Sequence, residues 1–267
     1  MGEPVIALGW LEVALSLVMT AVSIGLSLAL HLGFARDLAV ATVRSVVQLL
    51  AVGLAIGWVF EQRWYFIIGL LALMTLVAGI TGARRSKTLI RGLGLLLSLV
   101  LGAVTAVSLF YLSWVVVGIR DWNPRYLVPL GGMLLGNGMT AATLGVERMI
   151  AELKQNVQKI EVLLALGASP GQASADARRA AVVASMTPTI NTMMIVGIIT
   201  LPGMMTGQLL GGSPPVQAAL YQFLILAGIA FVASCTATLV TALVSRRFFT
   251  PAWQFDLPAL ERAAAGR

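Results

Sequence analysis

Charge, cysteine and histidine are scarce in this chain of 267 residues. Asp, Glu, Lys and Arg make up 11% of it, and hydrophobic residues make up 58%, whereas about a quarter of a soluble domain is charged. The one cysteine, Cys235, excludes an intrachain disulfide, and together with the one histidine, His31, it gives no Cys/His set for a metal. The composition therefore excludes an ordinary soluble domain and favours a membrane protein.

Several function classes lack the residues that they need. The segment from Gly82 to Thr88 lacks the second glycine of a P-loop, so we expect no nucleotide cofactor in this chain. The membrane segments hold no paired carboxylates and no nucleophile beside a base, so we expect no catalytic residues and no enzyme activity. The basic residues are not interleaved with aromatic ones, which argues against nucleic acid as a partner.

Long apolar runs predict the fold. A membrane-spanning helix needs about 20 apolar residues, and barrel strands would alternate polar with apolar residues. We predict an all-α, polytopic membrane helix bundle with about seven transmembrane helices, forming a single transmembrane domain over residues 1–267. The expected spans are 13–35, 38–60, 64–83, 92–119 and 127–146, and two more in the charge-free stretch 180–245, which Gly211–Pro215 divides.

The basic residues predict the orientation. Of the 18 Lys and Arg residues, Arg63, Arg120 and Arg125 fall on one side of the predicted spans and the others on the opposite side. Because cytoplasmic loops carry the excess of Lys and Arg, we expect a multi-pass protein of the cell (inner) membrane. We expect its N-terminus to lie outside, its C-terminus to be cytoplasmic, and its helices to contact membrane lipid. The last residues, 248–267, form a cytoplasmic tail, which we expect to be loosely ordered.

One long polar segment, residues 147–179, interrupts the apolar runs and falls on the predicted cytoplasmic side. Apolar residues recur in its first part at spacings of three and four, which indicates a helix that Gly167 ends. Ser169, Pro170 and Gln172 then have the positions of an N-cap, a first helical residue and a capping-box partner. This pattern predicts a rigid elbow, a cytoplasmic coupling helix followed by a second capped helix.

The elbow's sequence, Glu161-Val-Leu-Leu-Ala-Leu-Gly-Ala-Ser-Pro170, resembles the cytoplasmic coupling loop of ABC-transporter permeases, which docks into a cleft on the ATPase. Val162 and Leu163 stand where that loop has a pair of small residues. The resemblance implies that a cytoplasmic ABC ATPase is a partner of this chain. The residues that it marks for ATPase coupling are Glu161, Leu166, Gly167, Ala168, Ser169 and Pro170.

Further segments resemble the FetB-like family of ABC permeases, whose members are described as iron exporters and whose plant relatives are linked to aluminium tolerance. The segments begin at Arg44, Pro129 and Thr187, and Leu201-Pro-Gly-Met-Met-Thr-Gly207 is the most specific part. The resemblance implies a homodimeric permease that exports iron or another metal, with ATP and Mg on the partner ATPase. Export of a nucleotide sugar or a lipid-like substrate stays open, as does a channel or scaffold outside the ABC class.

Polar and helix-breaking residues within the predicted spans are candidates for a translocation pathway, because polar groups inside a membrane are costly. Each has a plainer alternative: snorkelling to the headgroups, helix–helix hydrogen bonds, or packing. The thioethers of the methionines suit Cu(I) rather than iron, so the residues of any metal site stay unknown. The pathway candidates are Arg44, Gln48, Asn137, Asn191, Thr192, Met193, Pro202 and Gly203.

Overall fold

The computed structural model describes residues 9–61, 63–118 and 123–266, and these are helical almost throughout. The described part holds two isolated β-bridges and no strand, so the predicted all-α class is confirmed. The helices are α1 (Trp10–Ala29), α2 (Ala35–Phe60), α3 (Trp64–Arg85), α4 (Leu93–Phe110) with a π-helical continuation (Tyr111–Val116), α5 (Pro124–Gln155), α6 (Val157–Ala165), α7 (Pro170–Ala173), α8 (Ala175–Ile195), α9 (Gly203–Leu210), α10 (Pro215–Ser245) with a 3-10 turn (Arg246–Phe248), and α11 (Leu257–Ala264).

The chain divides into two compact units. The first contains α1 and α2, which pack against each other as a helical hairpin, together with Leu210–Gly212. Both helices present most of their side chains outward, and Ser27 is the one buried residue described in them. The second unit contains the remaining helices and the hydrophobic core.

Glycines show how the long helices of the second unit run. A Cβ added at Gly138 of α5 would lie 2.8 Å from Val232 Cγ1 of α10, and one added at Gly145 would lie 3.3 Å from Thr241 Cγ2. Both contacts advance in the same direction along the two helices. Helices α5 and α10 are therefore parallel and approach closely through glycine, as small residues allow in membrane bundles.

The same kind of contact orients α3 and α4. A Cβ at Gly131 of α5 would lie 2.6 Å from Leu71 Cδ2, and one at Gly82 of α3 would lie 3.1 Å from Met139 Cγ. Helix α3 is therefore parallel to α5. Helix α4 runs the other way, because its residue 102 faces position 75 of α3, whereas its earlier residue 94 faces position 80, further along α3.

Helix α8 returns along α5. A Cβ at Gly145 would lie 3.0 Å from Ser185 Oγ. These two residues are equally far from the ends of α5 and α8 that α6 and α7 connect. The two helices therefore form an antiparallel pair.

Six of the described helices are long and apolar enough to cross a membrane: α1, α2, α3, α4 with its π-helical turn, α5 and α10. The run that begins at Ala180, predicted as a sixth span, is not one helix. Helix α8 ends at Ile195, an irregular segment follows, and α9 begins at Gly203. Because α5 and α10 are parallel, the chain that follows α5 has to run back to the end of the bundle where α10 begins. It does so through α8, the irregular segment and α9.

The C-terminal tail is ordered, so the expectation of a loosely ordered tail is wrong. Helix α11 buries Leu260 and Ala263, which lie three residues apart and so share one helix face. The Leu89 N–H donates to the Ala263 carbonyl at 3.2 Å, and the Asp256 carboxylate caps the helix by accepting from the Ala259 N–H at 2.9 Å. The tail therefore packs over the turn between α3 and α4.

Candidate functional site

One end of the second unit collects almost all of its described cations. Helices α3, α5 and α10 end there, and α4 and α8 begin there, so sequence segments far apart meet at one basic end. Arg63 and Arg125, at the starts of α3 and α5, lie at the opposite end. The residues of the basic end are Arg84, Arg85, Lys87, Arg91, Arg148, Lys154, Lys159, Arg178, Arg179, Arg246, Arg247 and Arg262.

The elbow lies at this basic end, between α5 and α8. Helix α6 ends at Ala165, and Gly167, two residues further on, has a φ of +89°. The Ala168 N–H donates to the Leu163 carbonyl at 2.9 Å, and the Gly167 N–H donates to the Leu164 carbonyl at 3.0 Å. These two bonds form a Schellman motif, which satisfies the last carbonyls of a helix. The predicted glycine stop is thus a closed and specific helix end.

Side chains close the other half of the elbow. Ser169 Oγ accepts from the Gln172 N–H at 3.3 Å, and the Ser169 N–H donates to Gln172 Oε1 at 2.8 Å. This is the reciprocal capping box that the sequence predicted. Ser174 Oγ donates to the Pro170 carbonyl at 2.7 Å, and Arg178 donates to the Gly171 carbonyl at 2.6 Å. Helix α7 is therefore fastened at both ends.

Two contacts attach the elbow to the bundle. Ile160 of α6 is 1% exposed and belongs to the same core as Leu153 of α5. Lys159 Nζ lies 2.7 Å from Asp176 Oδ2 at the start of α8. The hydrogen bond and the charge of Lys159 lower the pKa of the Asp176 carboxyl. Helix α6 thus contacts both α5 and α8.

The outer face of the elbow is apolar and unusually exposed. Leu166 is 79% exposed and Val162 is 58% exposed, and Glu161 and Gly167 beside them are also exposed. Ala168, Ser169 and Pro170 are half-buried. Of the predicted coupling residues, Glu161, Leu166 and Gly167 therefore form an outward surface, whereas the other three shape the turn. Val162, which departs from the familiar coupling-loop pattern, is part of the surface.

Helices α5 and α8 bring several predicted pathway residues to one level. By the register that pairs Gly145 with Ser185, Asn137 of α5 lies level with Met193 of α8. Asn137 is exposed and donates to the Met133 carbonyl at 2.8 Å. Thr192 is exposed and donates to the Pro188 carbonyl at 2.9 Å. The neighbouring Asn191 is exposed as well.

The break between α8 and α9 begins at this same level. Gly197 has a φ of +84° and donates to the Thr200 carbonyl at 2.8 Å, while the Ile199 N–H donates to the Ile195 carbonyl at 2.9 Å. Ile198 and Ile199 are 89% and 75% exposed. Pro202 then starts the chain toward α9, with its carbonyl accepting from the Thr206 N–H at 3.0 Å. The candidates Pro202 and Gly203 thus flank an irregular segment.

The two remaining candidates, Arg44 and Gln48, lie on α2 in the first unit. Both are exposed and lie four residues apart, so they share one face of the helix. Among the described residues there is no group of three or more His, Cys, Asp or Glu side chains that could hold a metal ion. The residues of a metal site therefore stay unassigned.

Comparison with known proteins identifies the family. The sequence matches the family model described as "Uncharacterised protein family (UPF0014)" over residues 10–249. The chain belongs to this family. No solved structure matches it. The predicted resemblance is confirmed, since UPF0014 relatives include a FetB protein and a plant protein named for aluminium.

Three UPF0014 relatives cover nearly the whole chain. The "UPF0014 membrane protein slr1647" of Synechocystis sp. is 39% identical over 93% of this chain and 97% of its own length. "Protein ALUMINUM SENSITIVE 3" of Arabidopsis thaliana is 31% identical over 93% and 90%. The "Probable iron export permease protein FetB" of Escherichia coli is 28% identical over 94% and 96%. The protein is thus a multi-pass membrane protein of this family.

Proposed function

We propose that this chain is the permease subunit of an ABC transporter, an exporter driven by a separate cytoplasmic ATPase. The observation that carries the proposal is the elbow: a rigid turn with an exposed apolar face at the basic end of the second unit. Because cytoplasmic loops carry the excess of Lys and Arg, we propose that this end is cytoplasmic, that the C-terminus is cytoplasmic and the N-terminus outside, and that the protein lies in the cell (inner) membrane.

The elbow's apolar face needs a partner. Burying a leucine side chain contributes about 1.5–3 kcal/mol, and the exposed Leu166 and Val162 offer that contribution to a protein that covers them. Glu161 gives the same face one charge for orientation. A cleft on an ATPase subunit that receives the elbow fits this pattern, and such a subunit would bind the ATP and Mg.

The attachments of the elbow suit it to transmit force. The Schellman motif and the capping box leave little freedom within the turn, and the Lys159–Asp176 pair and buried Ile160 tie it to α8 and α5. These are the two helices that carry Asn137 and the break after Ile195. A displacement of the elbow would therefore reach the candidate pathway through packed helices.

The break supports a pathway or a second subunit. Irregular backbone at membrane depth is tolerated only where protein covers it or where it lines a water-filled cavity. Register with α5 places Ile195 level with Leu135, well inside the apolar length of α5. We propose that a second copy of the chain covers this region in a homodimer, and that Asn137, Asn191 and Thr192 line the route that opens there.

The cargo is proposed from the relatives. The Escherichia coli relative is named as an iron export permease, and we propose iron or another metal as the substrate here. The described residues offer no carboxylate or histidine cluster, so the metal would cross as a complex, coordinated in part by its own ligands. Export of a nucleotide sugar or a lipid-like molecule is the alternative.

A co-purification experiment tests the proposal. The chain is co-expressed with candidate cytoplasmic ABC ATPases from the same genome, and complex formation and ATP hydrolysis are measured in proteoliposomes with and without ferric citrate. We expect a stable complex whose ATPase activity rises with the correct cargo. Leu166→Asp should weaken the complex by about tenfold or more, given the contribution of a buried leucine, while Leu166→Met should retain it.

The alternatives give different results in the same experiment. If the complex forms but its ATPase activity responds to a nucleotide sugar or lipid instead of ferric citrate, the proposed metal substrate would be wrong, whereas the proposed ABC permease role would stand. Absence of any ATPase complex, together with unchanged behaviour of the Leu166→Asp variant, would favour a channel or scaffold.

A further inference from the structure

A long apolar groove runs between α3 and α4 in the second unit, and Leu127 and Leu135 of α5 also line it. It has a volume of about 550 Å³ and is lined almost wholly by aliphatic and aromatic side chains. Helix α3 contributes Ile68 to Leu76, and α4 with its π-helical turn contributes Leu95 to Trp114. Both elements belong to the membrane-spanning helices, so the groove lies along the depth of the bilayer.

The groove is long and narrow, as a site for hydrocarbon chains requires. The lining residues of α4 extend from Leu95 to Trp114, which corresponds to about 28 Å at 1.5 Å per residue. The hydrocarbon core of a bilayer is about 30 Å thick, so the groove crosses both leaflets, and the acyl chain of one lipid would occupy the half that is nearer to Trp114. Dividing the volume by this length gives a mean cross-section of about 20 Å², which admits an extended acyl chain.

The few polar groups in the groove do not suit water. The hydroxyls of Thr75 and Ser98 donate to carbonyls of their own helices, Leu71 and Gly94, at 2.8 and 2.9 Å. Thr105 is 3% exposed, and its hydroxyl has no partner. Ser113 also lines the groove. A buried water needs two to four polar partners, and the hydroxyls of Thr105 and Ser113, eight residues apart on α4 and its π-helical turn, are too far from each other to share one water. The groove is therefore a site for hydrocarbon.

One end of the groove has the features of a membrane interface. Phe110 and Trp114 pack with ring centroids 5.3 Å apart, and the π-helical turn that starts at Tyr111 sets the position of Trp114. Trp64 lies one helical turn before the lining residue Ile68, and exposed Arg63 precedes it. Tryptophan is enriched at headgroup depth, and a guanidinium suits a phosphate.

We propose that the α3–α4 groove binds an acyl chain of a phospholipid from the surrounding bilayer, with the phosphate near Arg63 and the chain directed along α4 past Ala106. The inference does not depend on the proposed transport function. The lipid would fill a space that the two helices leave between them and hold them at their present separation.

A photolabelling experiment tests this site. The full-length protein is reconstituted in phosphatidylcholine vesicles that contain phosphatidylcholine with a diazirine at the middle of one chain. It is then extracted into detergent, washed and irradiated, so that only retained lipid labels it. We expect label on groove residues at the depth of the diazirine, such as Ala106 and Leu109, and little on Ala103 and Val107, which are exposed on α4 outside the groove.

A pair of variants on α4 sharpens the test. Ala106→Phe fills part of the groove and displaces at least one methylene of the bound acyl chain. Because each buried methylene strengthens binding about fourfold, the retained label should fall by about fourfold or more. Ala103→Phe adds the same ring outside the groove and should leave the label unchanged. Both variants are compared with the original protein by thermal unfolding in detergent, and Ala72→Phe on α3 replaces Ala106→Phe if the latter does not fold.

Two results would overturn the inference. Equal labelling of Ala106 and Ala103 would show that α4 meets lipid without a specific groove. Unchanged label in the groove-filling variant would place the retained lipid elsewhere.

Discussion

The turns after α6 and α8 each contain a left-handed glycine, and the surroundings of the two glycines differ sharply. Gly167 follows α6 and Gly197 follows α8, with φ values of +89° and +84°. At Gly167, serine and glutamine side chains and an ion pair close the turn. At Gly197, backbone groups bond to one another, and exposed isoleucines flank them.

The difference reflects what surrounds each turn. In water, polar side chains can serve as caps, and the turn becomes a rigid block. Within an apolar layer, backbone groups have to be paired locally, and few side chains fasten the segment. We infer that the elbow transmits movement whereas the break absorbs it, as a hinge does by changing a few backbone dihedral angles.

The same substitution at the two turns should have the most unequal effect. Ile198→Asp places a charge at the break, where insertion into the apolar layer is expected to become less favourable by about 3 kcal/mol. Leu166→Asp at the elbow changes a residue in water and should alter folding stability by no more than about 0.5 kcal/mol. The measurement is the yield of folded, membrane-inserted protein for each variant.

Ile198→Asn and Leu166→Asn serve as uncharged controls. The yields of folded, membrane-inserted protein should differ less between these two variants than between the two aspartate variants. Equal yields for the two aspartate variants would contradict the placement of the break inside the membrane, because the two side chains are similarly exposed in the chain itself.

Removing each glycine should give similar stability losses but different functional defects. A Cβ at Gly167 or Gly197 meets no atom within 4 Å, so alanine acts only through the left-handed backbone, at about 1–2 kcal/mol. Gly167→Ala should reduce cargo-stimulated ATP hydrolysis, whereas Gly197→Ala should reduce transport and leave ATPase binding intact. Both activities are measured in proteoliposomes.

The matched controls are Gly171→Ala in α7 and Gly207→Ala in α9, two helical glycines without a left-handed φ whose added Cβ would meet nothing closer than about van der Waals contact. They should retain both activities. Identical functional profiles for Gly167→Ala and Gly197→Ala would remove the distinction between a transmitting and an absorbing turn.

The sequence predicted the elbow better than the break. The stop at Gly167 and the cap at Ser169 follow from local residue patterns, and both are confirmed. The position of the break after Ile195 was not predicted, although the candidates Pro202 and Gly203 lie at its end; Pro188, by contrast, lies inside α8, which continues through it. Whether a proline interrupts a membrane helix depends on the neighbouring helices that satisfy the freed carbonyl, which one sequence does not reveal.

Long-range contacts also escaped prediction. Lys159 and Asp176 meet because the angle of the turn at Gly167 brings the start of α8 back to α6, and their spacing in the sequence gives no such signal. The same holds for α11, whose Leu260 and Ala263 are a weak apolar pattern within a polar tail. By contrast, the bounds of the third span, 64–83, were close to those of α3, Trp64–Arg85, because hydropathy alone decides them.

Removing one side-chain cap should show that hydroxyls matter at the elbow and not at the break. Ser169→Ala removes an N-cap and should lower the stability by about 1 kcal/mol. Thr192→Val removes a hydroxyl that only bonds back to Pro188 on its own helix, and the change should be smaller. Thermal unfolding in detergent compares the two variants, and a larger loss for Thr192→Val would contradict the comparison.

The ion pair at the elbow should give the smallest effect, visible through pH. Lys159 lowers the pKa of Asp176, so the pair stabilises the fold above the ordinary carboxyl pKa, and this stabilisation is lost as the pH falls through the lowered value. Hydrogen exchange of the α6 amides should therefore stay slow at neutral pH and quicken only in strong acid. The break should show no such change.

Asp176→Asn is the control for the pH experiment and should exchange slightly faster at neutral pH, with no further acid step from this pair. An acid step of the same size in the Asn variant would assign the pH dependence to another group.

The parallel pairing of α5 and α10 has a consequence for how the protein is made. Their contact surfaces, at Gly138 and Val232, are separated by the whole elbow, α8 and α9, so α10 leaves the ribosome long after α5 has entered the membrane. Until then α3 and α4 already contact α5, but the side of α5 that meets Val232 and Thr241 lacks its partner helix. The core is therefore complete only after the last spanning helix is inserted. A chain truncated before Pro215 would expose the surface of α5 that α10 normally covers, and we expect cellular proteases to degrade it.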